Sequence, residues 1–556
     1  MRTGAEVLAE MLDGYGVTHV FHVPAVLRHT MVALERQTGI KRVRLHGEKP
    51  AAYMADGYAR ASRRPGICMA QVVGALNLSA GLRDAHLAHS PVIAFTGGRD
   101  PATKFRKVYQ EVDDVPAFEP VTKLNATIDD VDRIPDMLRQ AFRVATSGSP
   151  GPVHLQFRGN EGQIDAEATQ IDAFVEPRFS EVVPYRPLPA DQAPLDLALE
   201  ALRDAKRPVL VAGGGVRWSD AGAELTALAE RLQIPVATSL NGKDSISADH
   251  PLAVGVVGTY SRASANRIVN ESDLVCFIGS ETGGMTTHFW QVPPFGTRVI
   301  QIDIDPEAIG RNYPPDVAIQ GDARSVLTAM LERAGDQMVR AAWTGRARDV
   351  VNDWRTTHGA ELLSDQVPIR PERICTELSA HTPDDTLVVV DTGHAGMWMG
   401  GMFDNREGQD YIRSAGHLGW AFPAALGAKC ALPDRPVVCF TGDSGFWYHV
   451  AEIETAVRWN IAAVTVVNNN SGGNQSKRGF DRVYGGRQTE RGAAELWQFT
   501  DVDFAALAGQ IGALGIRVEQ PGRLQPALDE AISSGRPAVI DVVTDIDALA
   551  PLAVTG

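Results

Sequence analysis

Two short runs in the last third of this 556-residue chain combine the residue types needed to bind a hard cation and a phosphate group. Gly442-Asp443-Ser444-Gly445 closes one apolar run and Asn468-Asn469-Asn470 closes the next, so Asn470 stands 27 positions after Asp443. A carboxylate, an amide oxygen and nearby backbone carbonyls form an oxygen-only shell of the kind Mg²⁺ or Ca²⁺ accepts, and such a cation can hold a diphosphate. The flanking Gly442 and Gly445 let the main chain approach that diphosphate and aim N–H groups at it. Gly-Asp-Ser alone reads as a tight turn after a strand. A second acid stands far upstream, Glu48 in LHGEKPAAYMADGYAR (45–60), one residue before a helix with a smooth face of Ala51, Ala52, Ala55 and Ala59. An isolated glutamate there is commonly a surface cap favoured by the helix dipole.

Strands alternating with amphipathic helices must position these groups. Short Val- and Ile-rich runs, each followed by a helical period, are the mark of parallel strands covered on both faces. They fall in three stretches. The first holds VTHVFHV (17–23), ICMAQVV (67–73), PVIAFTG (91–97) and PVHLQF (152–157). The second holds PVLVAGGGV (208–216), DLVCFIGS (273–280) and RVIQIDID (298–305); the third holds TLVVVDTG (386–393), VVCFTGDSG (437–445), AAVTVVNNN (462–470) and PAVIDVVTD (537–545). The fold class is α/β, three doubly wound parallel-sheet domains over 1–165, 190–340 and 371–556, the first and last alike in size and style. Two strand ends in one such sheet bring Asp443 and Asn470 to the same carboxyl edge, where ligands of open α/β sheets bind.

Composition narrows the function classes. With 53 Lys+Arg against 68 Asp+Glu the net charge is −15, which argues against nucleic acid or anionic lipid as a partner. No apolar run approaches a membrane span, and the acid-containing start MRTGAEVLAEMLDGYGV reads as a cytoplasmic amphipathic helix rather than a signal peptide. The 5 cysteines show no CxxC spacing, so neither a zinc site nor a disulfide framework is expected.

The Gly-Asp-Ser to Asn-Asn spacing resembles the shared motif of thiamine-diphosphate-dependent enzymes, and MADGYAR after a glutamate resembles the segment presenting the activating acid in acetolactate synthases. The match runs over nearly the full chain and names the three units as pyrimidine-binding, central Rossmann-like and diphosphate-binding domains. It implies that Asp443, Asn470 and a Gly472 carbonyl hold Mg²⁺, and that Glu48 bonds the aminopyrimidine ring. RSAGHLGWAFPAALGAK (413–429) resembles the junction whose bulky apolar side chain, here Leu418 beside Gly416 and His417, props the cofactor into a bent shape. DTGHAGMW (391–398) resembles the diphosphate loop, with Gly393, His394 and Ala395; Ser444 also falls on the cofactor side, and VVGALN (72–77) places Asn77 on the pyrimidine side. On the substrate side the resemblance implies Gln110, in YQEVD, with His22 and Ala25 in VFHVPAVL (20–27), where relatives carry glycines.

The implied reaction is decarboxylation of a 2-oxo acid and transfer of the acyl carbanion to an acceptor. An oxalyl-CoA decarboxylase or 2-hydroxyacyl-CoA lyase, acting on an acyl-CoA, is the alternative that Gly-Asp-Ser favours, and a non-catalytic nucleotide-binding relative is the alternative from another class. Val26 stands where pyruvate decarboxylases carry an acid, which disfavours simple aldehyde release, because protonating the intermediate is easiest with positioned acids. For the central unit the resemblance offers FAD, or ADP and CoA, on GGGV (213–216) with Asp303 or Asp305 as ribose acceptor. GSETGGMTTHFW (279–290) replaces the arginine-rich segment of flavin-binding relatives, which counts against FAD and leaves an empty domain as the other expectation. SGGNQSKRGFDRVYGGRQTERG (471–492) reads as a mobile polar loop bearing Arg478, Arg482, Arg487 and Arg491. In this family the cofactor lies across a subunit interface, so a homodimer or homotetramer is expected.

Overall fold

The computed structural model describes residues 2–486 and 488–551; of the loop arginines, Arg487 lies outside them. Three six-stranded parallel sheets flanked by helices follow one another along the chain. The first contains β1 (His19–His22), β2 (Lys41–Arg44), β3 (Gly66–Ala70), β4 (Val92–Gly97), β5 (Leu124–Ile128) and β6 (Val153–Phe157), in the spatial order β2-β1-β3-β4-β6-β5. The central sheet contains β7 (Pro208–Ala212), β8 (Val236–Thr238), β9 (Ala253–Val256), β10 (Leu274–Ile278), β11 (Arg298–Asp303) and β12 (Val317–Gln320), ordered β9-β8-β7-β10-β11-β12 as in dinucleotide-binding folds. The last contains β13 (Leu387–Val390), β14 (Asp410–Arg413), β15 (Val437–Gly442), β16 (Val464–Asn469), β17 (Leu514–Val518) and β18 (Ala538–Val543), ordered β14-β13-β15-β16-β18-β17. First and last sheets therefore share one topology. Among the described residues no helix is long and apolar enough to cross a membrane.

The helices that bear on the site are α1 (Glu48–Ser62), α2 (Ala75–Leu87), α3 (His394–Met402), α4 (Ala421–Ala431), α5 (Asp443–Trp447), α6 (Asn474–Val483) and α7 (Glu490–Leu496). The alanine face of α1 packs on α4, joining the first and last units; Ala51, Ala52, Ala55 and Ala59 are fully buried, the first three in the same core as Ala424, Ala425 and Ala428. Close approach is obligatory there. A Cβ at Gly57 would run into the Ala424 carbonyl oxygen, and one at Gly427 into that of Met54.

Local expectations fail in three places. The segment 471–492 is not a plain loop: α6 and α7 form within it, supported by Lys477–Asp481 and Arg491–Glu495 pairs one helical turn apart and by a Thr489 cap, which its glycines disguise. Glu48 is the first residue of α1, with Gly47 as N-cap, rather than the residue before the helix. A helix over Ala341–Leu362 occupies a stretch between the expected units, where only Trp343, Thr344, Ala347, Val350 and Trp354 are buried and the apolar stripe is thin.

One buried histidine gives the fold a pH signature. His154 on β6 is fully buried, stacks 3.6 Å from the Phe118 ring, and bonds Thr96 Oγ1 (2.7 Å) and Asn125 Oδ1 (2.8 Å). Burial lowers it to about 3 from its ordinary 6.5. The unfolded chain alone takes up this proton, so the contribution of the neutral ring is complete above 6.5 and fades as pH falls toward 3. At about pH 5 the wild type is expected to lose about 2 kcal/mol that a His154→Gln variant does not lose. Thermal melts of both proteins at neutral and acid pH check this; a pH-independent gap would contradict it.

Candidate active site

The carboxyl ends of β13, β15 and β16 are neighbours at the centre of the last sheet. There the chain delivers Asp391, Thr392 and Gly393, then Gly442 and Asp443, then Asn469 and Asn470. Asp443 opens α5 with its carboxylate almost completely buried, receiving Ser444 N–H on Oδ1 (2.7 Å) and Gly472 N–H on Oδ2 (3.0 Å). Burial pushes it up to about 7 despite those amides. Asn470 Oδ1, Ser444 Oγ and His394 Nδ1 are buried polar atoms without a partner among the described residues. Several orphaned groups at one strand edge are a signal for a missing ligand, because burying such an atom unbonded is costly. A cation bridging Asp443 and Asn470, with an anion beside it, suits this donor set.

The two asparagines divide the work. Asn469 turns into the protein, donating to Val502 O (3.0 Å) and Asp541 Oδ1 (2.9 Å), whereas Asn470 keeps a free side-chain oxygen. The Gly472 carbonyl already accepts Asn474 N–H (3.1 Å), leaving one lone pair for a metal. Gly393 has φ +67°, and the buried His394 and Ala395 start α3 behind it. Burial lowers His394 to about 4, so its ring is neutral near pH 7. Gly416 (φ +144°) and Gly419 (φ +85°) bracket His417, which bonds the Tyr53 hydroxyl, and the half-buried Leu418. At Gly442 a Cβ would meet nothing, while at Gly445 it would lie 2.5 Å from Asp391 Oδ2.

Asp391 is the residue sequence reasoning passed over. It is fully buried, accepts from Thr392 N (2.8 Å), Thr441 Oγ1 (2.9 Å) and Gly419 N (3.1 Å), and burial pushes it up to about 7. It ties the ends of β13 and β15 to the loop behind Leu418. Its signal was an acid directly after the apolar run LVVV.

The carboxyl edge of the first sheet collects the other group. Asn77 Nδ2 donates to Glu48 Oε2 (3.2 Å), and a Cβ at Gly74 would lie 2.5 Å from Glu48 Oε1, so a side chain there would displace the carboxylate. Ala25 has φ +72°, the left-handed conformation that glycine adopts without strain and alanine does not. His22 is lowered to about 4 by burial, and Gln110 accepts from Gln71 Nε2 (3.1 Å). A cleft of about 320 Å³ beside Glu48 is lined by Lys49, Asn77, Tyr448, His449 and Glu452. Asp443, Ser444, Asn470, Gly472 and His394 are absent from that lining.

A separate cavity of about 400 Å³ opens between the three units. Gly214, Gly215, Glu281, Asp303 and Asp305 line it, and burial pushes Asp303, at the end of β11, up to about 6. Of its arginines, Arg60 pairs with Asp56 and Asp84 and Arg217 with Asp244, leaving Arg413 outside any ion pair among the described residues.

Comparison with known proteins fits this geometry. Family models of the thiamine pyrophosphate (thiamine diphosphate) enzymes match in order: the N-terminal TPP binding domain over 2–117, the central domain over 195–330 and the C-terminal TPP binding domain over 391–542. A probable acetolactate synthase large subunit of Methanococcus aeolicus is 33% identical, covering 98% of this chain and 92% of its own length. That of Methanocaldococcus jannaschii is 32% identical over 100% and 94% of the two chains, and the acetolactate synthase isozyme 3 large subunit of Escherichia coli is 30% identical over 98% and 95%. The chain belongs to the thiamine-diphosphate-dependent enzymes, in the group that resembles acetolactate synthase large subunits.

Proposed function

We propose that the protein decarboxylates a 2-oxo acid and joins the resulting acyl unit to a second, carbonyl-bearing acceptor, as an acetolactate synthase-like carboligase. The observation that carries this reading is the buried Asp443 carboxylate beside the unpartnered Asn470 oxygen at one strand edge. Thiamine diphosphate, when bound, supplies the electron sink for decarboxylation. Asp443, Asn470 and the Gly472 carbonyl hold Mg²⁺, while main-chain N–H groups near Gly393, Gly442 and Gly445 face the diphosphate, with Ser444 and His394 lending side-chain polar atoms. Leu418 braces the cofactor between its rings. Glu48, oriented by Asn77, holds the proton at the aminopyrimidine nitrogen.

His22, Ala25 and Gln110 bound the substrate side. A His22 ring lowered to about 4 offers no proton near neutral pH, which favours carbon–carbon bond formation over aldehyde release. Because the Asp443 cluster is absent from the lining of the cleft beside Glu48, we infer that two copies pair, each giving its Glu48 to the other's metal site. Val73 and Leu76, 54% and 51% exposed on the same face as Glu48, suit such a contact. The three sheets support divisions at 1–165, 190–340 and 371–556.

FAD fits the central cavity poorly. Its diphosphate would meet three carboxylates and a single unpaired guanidinium, so the purified protein is expected to show no flavin absorption in the visible; a yellow preparation would contradict this. The reading as a whole is tested with a panel of 2-oxo acids. Consumption with CO₂ release and a longer product, dependent on both added thiamine diphosphate and Mg²⁺, is expected. Turnover of 2-hydroxyacyl-CoA thioesters alone would overturn it.

A further inference from the structure

A buried carboxylate of the first unit grips the loop of the last unit that carries Leu418. Asp84, on α2, has a side chain with no exposure. Its Oδ1 accepts from Arg60 Nη2 (2.8 Å) and from Ala415 N (2.8 Å), and its Oδ2 accepts from Ser414 Oγ (2.9 Å) and His417 N (3.1 Å). Three of those donors belong to the turn between β14 and α4. The grip extends to both sides. Arg60, itself bidentate to Asp56 (2.8 and 2.6 Å), donates to Arg413 O (2.6 Å), and Trp420 Nε1 donates to Asp56 Oδ2 (2.8 Å).

This turn contains Gly416 and Gly419, both at positive φ, so its own backbone preferences specify little. Conformation is imposed from outside. His417 N is held by Asp84 from the first unit, Gly419 N is held by Asp391 at the end of β13, and Leu418 is the residue suspended between them. A buried carboxylate with four donors is a strong anchor, since hydrogen bonds to a charged acceptor are short and each lost one strands a buried N–H.

We propose that Asp84 is a positioning residue for the cofactor: by fixing the turn 414–417 it sets where the Leu418 side chain stands, and so how firmly thiamine diphosphate is held in its bent form. This rests on the proposed bracing role of Leu418. It adds that α2, which also carries Asn77, aligns the Glu48 carboxylate at one end and the Leu418 turn near the other, so in a pair of copies one helix serves two cofactor sites, the Glu48 half of one and the Leu418 half of the other.

The test uses the full-length protein with Mg²⁺, titrating thiamine diphosphate and following the near-ultraviolet circular dichroism of the bound cofactor, with separate kcat and KM values for the 2-oxo acid. Ser414→Ala removes one donor and is expected to weaken cofactor binding about tenfold, and Asp84→Asn about a hundredfold, with the KM of the 2-oxo acid unchanged. Combined with Leu418→Ala, Ser414→Ala should add no further loss, because both act through one side chain. Wild-type affinity in both single variants, or full additivity with Leu418→Ala, would overturn the proposal. If Asp84→Asn does not fold, the Ser414 and Leu418 variants decide. A wild-type protein unable to bind thiamine diphosphate would sink the functional reading and this proposal together, whereas a wrong pattern among variants of a binding-competent protein sinks the proposal alone.

Discussion

Glu48→Gln is expected to lower kcat by about a thousandfold while leaving thiamine diphosphate affinity within about threefold. The glutamine is isosteric, so it fits against Gly74, where an added Cβ would lie 2.5 Å from Glu48 Oε1, and it can keep a contact with Asn77. What it lacks is a carboxylate able to hold a proton. Asn77 reaches only one of the two oxygens, leaving the other for a ligand. Steady-state kinetics and isothermal titration of the same preparation separate the two quantities. Turnover equal to wild type would show that the acid is only a helix cap, the reading that its position at the start of α1 allows.

Asp443→Ala should abolish Mg²⁺-dependent cofactor binding, weakening it by at least about a hundredfold, because the variant removes the only carboxylate among the proposed metal ligands. Calorimetry with and without Mg²⁺ reads this directly, and unchanged affinity would remove the metal assignment. The asparagines supply an internal control. Asn470→Ala should resemble Asp443→Ala, since the free oxygen belongs to Asn470. Asn469→Ala should act on stability first, because its amide group binds Val502 and the fully buried Asp541.

Much of this site is legible in the chain because it depends on strand ends. An apolar run of five or six residues followed by Gly-Asp or Asn-Asn marks the carboxyl edge of a parallel strand whether or not its neighbours are known, and β15 and β16 lie side by side. The alanines of α1 declare a close helix contact in the same way. Their partner, α4, lies more than 350 residues away and is visible only in three dimensions. Asp391 and Asp84 escaped notice for a related reason: the importance of each comes from donors supplied by a distant turn, which neither the DTGHAGMW run headed by Asp391 nor the helix bearing Asp84 displays. Which of Asn469 and Asn470 faces the ligand follows from strand alternation. The segment after Asn470 misleads because its glycines and cations suggest a loop, whereas ion pairs one turn apart and a threonine cap are enough to wind α6 and α7.

Pairing of two copies is the claim on which the chemistry turns, and co-expression of two inactive variants tests it most directly. In a hybrid dimer of a Glu48→Gln chain with an Asp443→Ala chain, one site carries both lesions and the other carries none, provided each site takes its acid from one copy and its metal ligand from the other. Random pairing then restores up to about a quarter of wild-type activity. If each chain built its own site, every site would carry one lesion, and the mixture would show no more activity than the two variants measured apart.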